Sequence, residues 1–593
     1  MLESNGQQQR LKAVLSASHV FGALAPDILA DLAASLEIET VEGGNLILHE
    51  SDVAESMLIV ISGRLRVSRT NPDGSLRLYN EVSPGETVGE AGMILQQRRF
   101  ADVTALRDST IAVLRRLPFE ALLKRHPVAL NRVFAQAVYH QLRHTPQRAE
   151  QGHAHAFVVI PLQEASIGLE LAHQLTEALS HLGKAQLVDA ELSKNHPLDA
   201  LEGEFEYLIY HTDGQDSEWT RRAVRQADQV IYVAAEHEEA KTSLIEQKLA
   251  TEPGFSMKRQ HLVLLHPSDT VLPGDLASWR RQRTIERVYP LRSNHPNDFA
   301  RLARFLTGQA VGVVLGGGGA RGFAHLGVLK ALQEHRIPVD IIGGNSMGAL
   351  IGAQYAKGIA LDDIRKQTLR FALGGERPTI PLISLLSGKR VERDLRKLFG
   401  DQNIEQLWTP YFAAACNLSR ACTTVQESGP IWHAVLASNS PAGLLPPVLR
   451  EGELLVDGAI LDNVPVLAMR SRLGTPFEQR RGNGTIIAID VDVQNDLSVN
   501  PVQARLSVRK TLKGYFLSSD EASPGIGDIL YRAGHIGGLH QRARTMAAAD
   551  HYLEPPIAAF PLMAYRRAAE IAEVGYRYAM EEIGRWTTPK AAR

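Results

Sequence analysis

The spacing of apolar positions changes character three times along the chain, and each change marks a different kind of structure. Residues 11 to 36 repeat apolar side chains at helical spacing, with Phe21 and Leu24 ahead of Pro26. Short alternating stretches follow. Leu46 to His49, Met57 to Ile61, Arg64 to Arg69, Leu76 to Glu81 and Ser109 to Leu114 predict strands, with Asn71 to Gly74 (NPDG) as a hairpin turn, before a helical pattern from about Pro118 to Leu142. Short strands this closely spaced predict a small barrel or jelly roll. The polar, patternless run RHTPQRAEQGH at 143–153 reads as a linker.

Beyond it the pattern alternates between strand and helix. Phe157 to Ile160, Gln186 to Val188, Tyr207 to Tyr210, Gln229 to Val233 and His261 to Leu265 are short apolar runs, separated by helical segments such as Leu169 to Leu182 and Trp219 to Ala227. That order predicts a parallel α/β sheet. Asp213, Trp219 and Arg225 stand out there, but a sheet-edge loop and a solvated helix face explain them, and no glycine-rich phosphate loop is visible. A helical segment, Asn297 to Leu306, leads into a third unit. Its predicted strands are Val311 to Leu315, Val339 to Ile342, Pro410 to Ala415, Thr423 to Gln426 and Thr485 to Asp490. Helical patterns run over Ala324 to Gln333 and Ala349 to Lys357, and the tail adds a strand-like LEPPIAAF and a closing helix from Tyr565 to Ile583. The expected fold class is multidomain α/β in three domains: 1–145, 154–300 and a doubly wound 309–586. A length of 593 residues agrees with several cores at roughly 100 to 200 residues each.

Composition narrows the function classes. Lys and Arg total 64 against 66 Asp and Glu, so no global charge favours nucleic acid. No apolar run approaches the ~20 residues of a membrane span, and the first residues lack a signal-peptide core. The expectation is a cytoplasmic protein that at most lies peripherally on a membrane surface. The two cysteines, Cys416 and Cys422, fit neither a zinc site nor a CxxC pair and are expected to be buried thiols.

Chemistry concentrates between residues 311 and 348. Two glycine-rich turns there each connect an apolar run to a helical pattern. In the second, Gly344-Asn345-Ser346-Met347-Gly348, a serine between glycines on a strand-to-helix turn is a candidate nucleophile. The first turn, GGGGARG, offers side-chain-free amides, and Gly317, Gly318 and Gly319 are candidates for an oxyanion hole. A dinucleotide site fits this turn poorly, because Asp340 starts the second strand instead of ending it. A base is also required. His325, His335 and His433 are nearest in sequence, but none sits in a turn after a strand. Asp457 does, at the end of the apolar run in LLVDGAILDNVP.

Two resemblances bear on these residues. The stretch PGETVGEAGMILQQRRFADV at 84–103 resembles the cyclic-nucleotide-binding domain, which implies that Gly89 and Glu90 take the ribose and Arg99 the cyclic phosphate. Phe100 departs from the small or hydroxylated residue usual after that arginine. Its bulk is expected to crowd the phosphate, and the alternative is a domain kept for docking, with Arg99 paired to an acid. The order GGGGARG, GNSMG, DGA, continuing through PYFAAACNLS, ASNSPAGLLPPV and EVGYRYA, resembles the patatin-like phospholipase family. With the nucleotide-domain-like front and TRRAVRQADQVIYV between, it resembles neuropathy target esterase and its bacterial relatives. The resemblance implies a cofactor-free Ser346–Asp457 dyad, an oxyanion hole at Gly317 to Gly319, and Arg321 bracing the glycine loop. It also implies (lyso)phospholipid esters as substrates. Asn345 stands where relatives often carry Thr, and the flanking glycines are expected to make that exchange harmless. Leu436 to Val448 is either an acyl-chain wall or a core-lining loop. A rival from another class is a ligand-sensing scaffold with an inert hydrolase fold; the intact Ser346, Asp457 and glycine loop argue against it.

Overall fold

The computed structural model describes residues 11–133, apart from 12, 17, 19–20, 23, 72, 74–75 and 132, together with 155–473, 484–492 and 526–587. The expected linker at 143–153 and the end of the helix expected before it lie outside these residues, as do Pro72 and Gly74 of the expected NPDG turn. The chain forms two compact units. Of the described residues, the first holds those up to 270 and those at 276–307, and the second holds those at 271–275 and from 308 onward.

The first unit begins with a two-sheet β module. One sheet, in the order β1-β8-β3-β6, contains β1 (Glu37–Val41), β3 (Ser56–Ser62), β6 (Thr87–Val88) and β8 (Ser109–Arg115); the other, β2-β7-β4-β5, contains β2 (Leu46–Leu48), β4 (Leu65–Thr70), β5 (Leu76–Val82) and β7 (Asp102–Ala105). The unbroken apolar run of β3 follows from burial on both faces. Leu58 and Val60 join the core between the sheets, while Met57, Ile59 and Ile61 pack with Phe21, Leu32, Phe119 and Leu122. Sequence pattern missed β1, β6 and β7. β1 exposes or half-exposes every residue, and β6 has only two residues.

The second module of this unit is a parallel six-stranded sheet in the order β10-β11-β9-β12-β13-β14, from β9 (His155–Pro161), β10 (Ala185–Val188), β11 (Tyr207–His211), β12 (Gln229–Ala235), β13 (Arg259–His266) and β14 (Arg287–Arg292). A set of buried charges joins the two modules. Arg107 is fully buried, with Glu202 at 3.6 Å and Asp228 at 3.7 Å, and Arg64 adds a second cation 3.6 Å from Asp228. Burial pulls the Asp228 carboxyl up, but Arg107 and Arg64 outweigh it and hold it at about 2. The Lys258 ammonium is also buried, and donates to the carbonyls of Leu106 (2.8 Å) and Ala227 (2.7 Å). Gly44 and Gly254 meet backbone to backbone at this junction, both at positive φ, where a side chain on either would collide with the other. Arg225, read from sequence as part of a solvated helix face, instead reaches Asp108 of the β module at 3.4 Å.

The second unit is built on an eight-stranded mixed sheet in the order β19-β20-β17-β16-β15-β21-β22, with β18 paired to β17. Its strands are β15 (Val311–Leu315), β16 (Ile341–Gly344), β17 (Tyr411–Asn417), β18 (Cys422–Gln426), β19 (Val448–Arg450), β20 (Glu453–Asp457), β21 (Thr485–Ile489) and β22 (His551–Leu553). β17, β16, β15, β21 and β22 run parallel, while β18, β19 and β20 form antiparallel pairings. Chain order leaves β15 toward β16 on one side and β21 on the other, so the carboxyl end of β15 lies at a switch point where α/β sheets open a crevice. The helix Ala324–Glu334 packs on the closing helix Ala568–Thr587 closely enough that side chains on Gly327 or Gly575 would strike the opposing backbone.

Two expectations for this unit are corrected. LEPPIAAF is not a strand: the strand ends at Leu553, because Pro555 and Pro556 cannot donate to a ladder. Cys416 is buried, but Cys422, opening the antiparallel β18, is exposed; both are free thiols. Among the described residues, no helix is long and apolar enough to cross a membrane.

Candidate active site

Both glycine turns leave the carboxyl ends of adjacent strands, β15 and β16. The nucleophile turn is held tightly against its neighbour, since a side chain at Gly344 or Gly348 would run into the Leu315 carbonyl. Ser346 follows at φ 52° and ψ −123°, a conformation L-residues rarely adopt, and caps the helix Met347–Ala356. Such strain persists only where surrounding contacts fix it. Here those contacts are explicit. The Ser346 amide donates to Ser438 Oγ at 2.9 Å, and its carbonyl accepts from Asn439 Nδ2 at 2.8 Å. The helix Ile431–Ser438 and the residues after it therefore clamp the serine from both sides while leaving it half-buried.

Asp457 ends β20 and is 1% exposed. Its amide donates to the Ser440 carbonyl at 2.9 Å, and its Oδ1 accepts from Ala459 N at 3.0 Å. Asn345 links it to the serine turn. The Asn345 Nδ2 donates to Asp457 Oδ1 at 3.5 Å, and Asn345 Oδ1 accepts from Gly458 N at 3.1 Å and from Ser438 Oγ at 3.0 Å. This also explains the glycine of DGA, where a Cβ would stand 2.6 Å from Asn345 Oδ1. Asn345 is thus no passive replacement for Thr. It joins the nucleophile turn, the Asp457 turn and the Ser438 helix. Asn345→Ala is expected to lower kcat by about 100-fold with KM little changed, because misplacing catalytic groups by an ångström costs about that much. Steady-state kinetics on a soluble ester check this, and Asn345→Thr, which keeps one donor and acceptor, should recover part of the loss.

The glycine loop meets the serine directly, since a Cβ on Gly317 would lie 3.0 Å from Ser346 Cβ. Gly317's own amide, however, donates to Asn463 Oδ1 at 3.1 Å, and Asn463 Nδ2 returns a bond to the Gly317 carbonyl at 3.1 Å. Asn463 is therefore a loop brace that sequence reading missed. Arg321 is buried and donates from Nε to the Phe560 carbonyl at 2.7 Å, while Ala320 N donates to Leu562 O at 2.8 Å, tying the loop to the segment before the closing helix. His325 is fully buried with Nε2 on the Gly316 carbonyl at 2.8 Å. Burial lowers its pKa to about 4, so it is a neutral brace at pH 7. Asp340 lies at the other end of the sheet, accepting from Val311 N at 2.9 Å. The stretch expected as an acyl wall or core loop supplies Ser438, Asn439 and Ser440 as positioning residues.

In the β module, Gly89 takes φ 90° and caps the short helix Glu90–Leu95, with Glu90 fully buried. Arg99 is 8% exposed and lies against Gly89, where a Cβ would stand 2.7 Å from Nη1. Its Nη2 donates to the Ser56 carbonyl at 2.8 Å, so its hydrogen bonds go to Ser56, not to the acid that the docking alternative foresees. Burial lowers its pKa, against the attraction of Asp52. Phe100 does not crowd this pocket: it is 59% exposed and meets Tyr79 edge-on at 5.5 Å. Arg99 and Phe100 lie in the loop before β7, held by Arg99 N donating to Asp52 O at 2.9 Å and Ser51 N to Arg99 O at 2.8 Å, and the course of that loop sets the two side chains apart.

Comparison with known proteins finds a family match within each of the three modules described above. Residues 313–470 match the family model described as patatin-like phospholipase. The second unit carries a patatin-like phospholipase domain. Residues 38–126 match the cyclic nucleotide-binding domain and residues 162–289 the neuropathy target esterase family P-loop like domain. In the latter, β9 ends at Pro161 and is followed by Leu162-Gln163-Glu164 without a glycine loop or lysine, so the phosphate cradle of a P-loop is absent there. The patatin-like domain and the modules before it align together with long relatives. Patatin-like phospholipase domain-containing protein 6 of Homo sapiens is 27% identical over 97% of this chain and 46% of its own length. Lysophospholipase NTE1 of Mycosarcoma maydis is 28% identical over 95% of this chain and 34% of its own. Neuropathy target esterase sws of Drosophila melanogaster is 28% identical over 90% and 42%. The chain spans less than half the length of each.

Proposed function

We propose that the patatin-like domain is a serine esterase acting on acyl esters of phospholipids or lysophospholipids. The observation that carries this reading is the meeting of a strained Ser346, the Gly317 α-carbon and a buried Asp457 joined to the serine turn through Asn345. Asp457 takes the proton of Ser346 as Oγ attacks the ester carbonyl and the carbonyl π electrons move onto oxygen. With Gly317 committed to Asn463, the amides of Gly318 and Gly319 receive the oxyanion. Collapse expels the alcohol, which takes the proton back from Asp457, and water repeats the sequence to release the fatty acid. The lysophospholipid preference draws on the name of the Mycosarcoma maydis relative. A peripheral membrane contact fits such a substrate, and a cyclic nucleotide at Gly89, Glu90 and Arg99 is the regulatory ligand to test by calorimetry.

The deciding experiment is labelling of the purified chain with a fluorophosphonate and location of the adduct by peptide mass. The adduct is expected on Ser346 and absent from Ser346→Ala. An adduct on another residue, or none at all, overturns the assignment.

A further inference from the structure

Between the helices Leu361–Leu373 and Lys389–Phe399 the chain runs through GGERPTIPLISLLSG, an apolar stretch with no helical or strand-length period. It forms a narrow finger. Pro378 bridges antiparallel to Leu386, Thr379 N donates to Leu385 O at 3.1 Å, and Ser387 N donates to Arg377 O at 2.9 Å. The base is firmly built. Glu376 accepts from Ser387 Oγ (2.7 Å), Arg390 N (2.9 Å) and Val391 N (3.1 Å). Yet the tip leaves Ile380, Leu382 and Ile383 at 75%, 87% and 74% exposure. Isolated exposed apolar residues need no explanation, but three within four residues on a hydrogen-bonded finger do.

Two further features say what covers the tip. Arg370, Arg377, Lys389 and Arg393, on the finger and its flanking helices, are exposed and form no ion pair among the described residues. Apolar side chains flanked by unpaired cations match a lipid surface, which takes hydrocarbon below its headgroups and cations at anionic headgroups. A second copy of this chain matches poorly, because tip-to-tip contact would set Arg377 and Lys389 against their own counterparts. The finger also adjoins the active site. Leu385 N donates to Gly443 O at 2.9 Å and Leu386 N to Leu444 O at 3.0 Å, in the segment that begins with the Ser438, Asn439 and Ser440 supports of Ser346 and Asp457.

We infer that the Ile380–Ile383 tip inserts into anionic lipid bilayers and seats the patatin-like domain on its substrate surface. This deepens the esterase reading, but its test is binding, so the two fail separately. The full chain, wild type and Ser346→Ala, is floated with vesicles of phosphatidylcholine alone and with added phosphatidylglycerol. Both proteins are expected to float with the anionic vesicles. Ile380→Ser/Leu382→Ser/Ile383→Ser is expected to bind about 100-fold more weakly, given the apolar area removed from lipid. Its turnover of a soluble short-chain ester should stay at the wild-type value, which also shows that it folds. Arg377→Glu/Lys389→Glu should lose the preference for anionic vesicles. Undiminished binding by the triple variant, or no binding by the wild type, overturns the inference. So does a smaller oligomer for the triple variant in sedimentation, which would make the tip a protein contact.

Discussion

Ser346→Ala is expected to cut turnover of a short-chain p-nitrophenyl ester by about 10⁴-fold or more, Asp457→Asn by a similar factor, and the double variant by no more than either alone. Residues acting as one unit in one step lose their effect together, because a serine without its base and a base without its serine are equally idle. The geometry supports such a unit: Asn345 ties the two turns to each other with bonds to Asp457 Oδ1 and Gly458 N. The substitutions are also mild structurally. The backbone of Ser346, not its hydroxyl, makes the bonds to Ser438 and Asn439, so alanine keeps the clamp. Steady-state rates of the three variants decide the matter. Losses that multiply in the double variant would show two independent effects and remove the dyad.

The second large effect is on stability. Arg107→Met should destabilise the first unit by about 3–5 kcal/mol, because it leaves Asp228 and Glu202 buried with one cation fewer. Both carboxylates are under 10% exposed, so water cannot take over from the guanidinium. The pH dependence gives an independent check. Asp228 titrates at about 2 in the folded protein against an ordinary value near 3.8, so its stabilising contribution is complete above about pH 4 and is lost as pH falls toward 2. Without Arg107 the depression shrinks, and acid unfolding should begin at higher pH than in the wild type. Urea titration followed by tryptophan fluorescence at pH 7, with a parallel acid titration, measures both. An unchanged urea midpoint would mean that the buried ions contribute nothing net to this junction.

The sequence made the parallel strands visible because strands buried on both faces read as continuous β-branched runs, as in Val311–Leu315, which was located to the residue. It hid what lacked such a run. The polar β1 and two-residue β6 carry no usable period. The helix Ile526–Ala548 went unseen because Gly537 and Gly538 interrupt it, where a side chain on either would collide with the carbonyls of Ile460 and Ala459 beside the Asp457 turn. Ser346, Asp457 and the glycine loop stood out because each closes an apolar run with glycine. Asn345, Ser438 and Asn463 did not, since an amide or hydroxyl that bridges two turns leaves no periodic trace. Phe100 misled for a related reason: its size was readable, but its outward direction depends on how the loop before β7 is held.

The glycine loop is completed by residues made long after it. Besides Asn463, its anchors include the carbonyls of Phe560 and Leu562, and Arg321 closes onto Phe560 across 239 residues. β22 and the closing helix are made later than almost everything they stabilise, and loop closure over such distances precedes any gain from the contacts. During synthesis, Ser346 and its strand therefore exist for more than two hundred residues before the turn beside them can be fixed. A ribosome-bound chain stopped short of Leu562 would carry Ser346 beside a glycine loop that still lacks its bonds to Phe560 and Leu562.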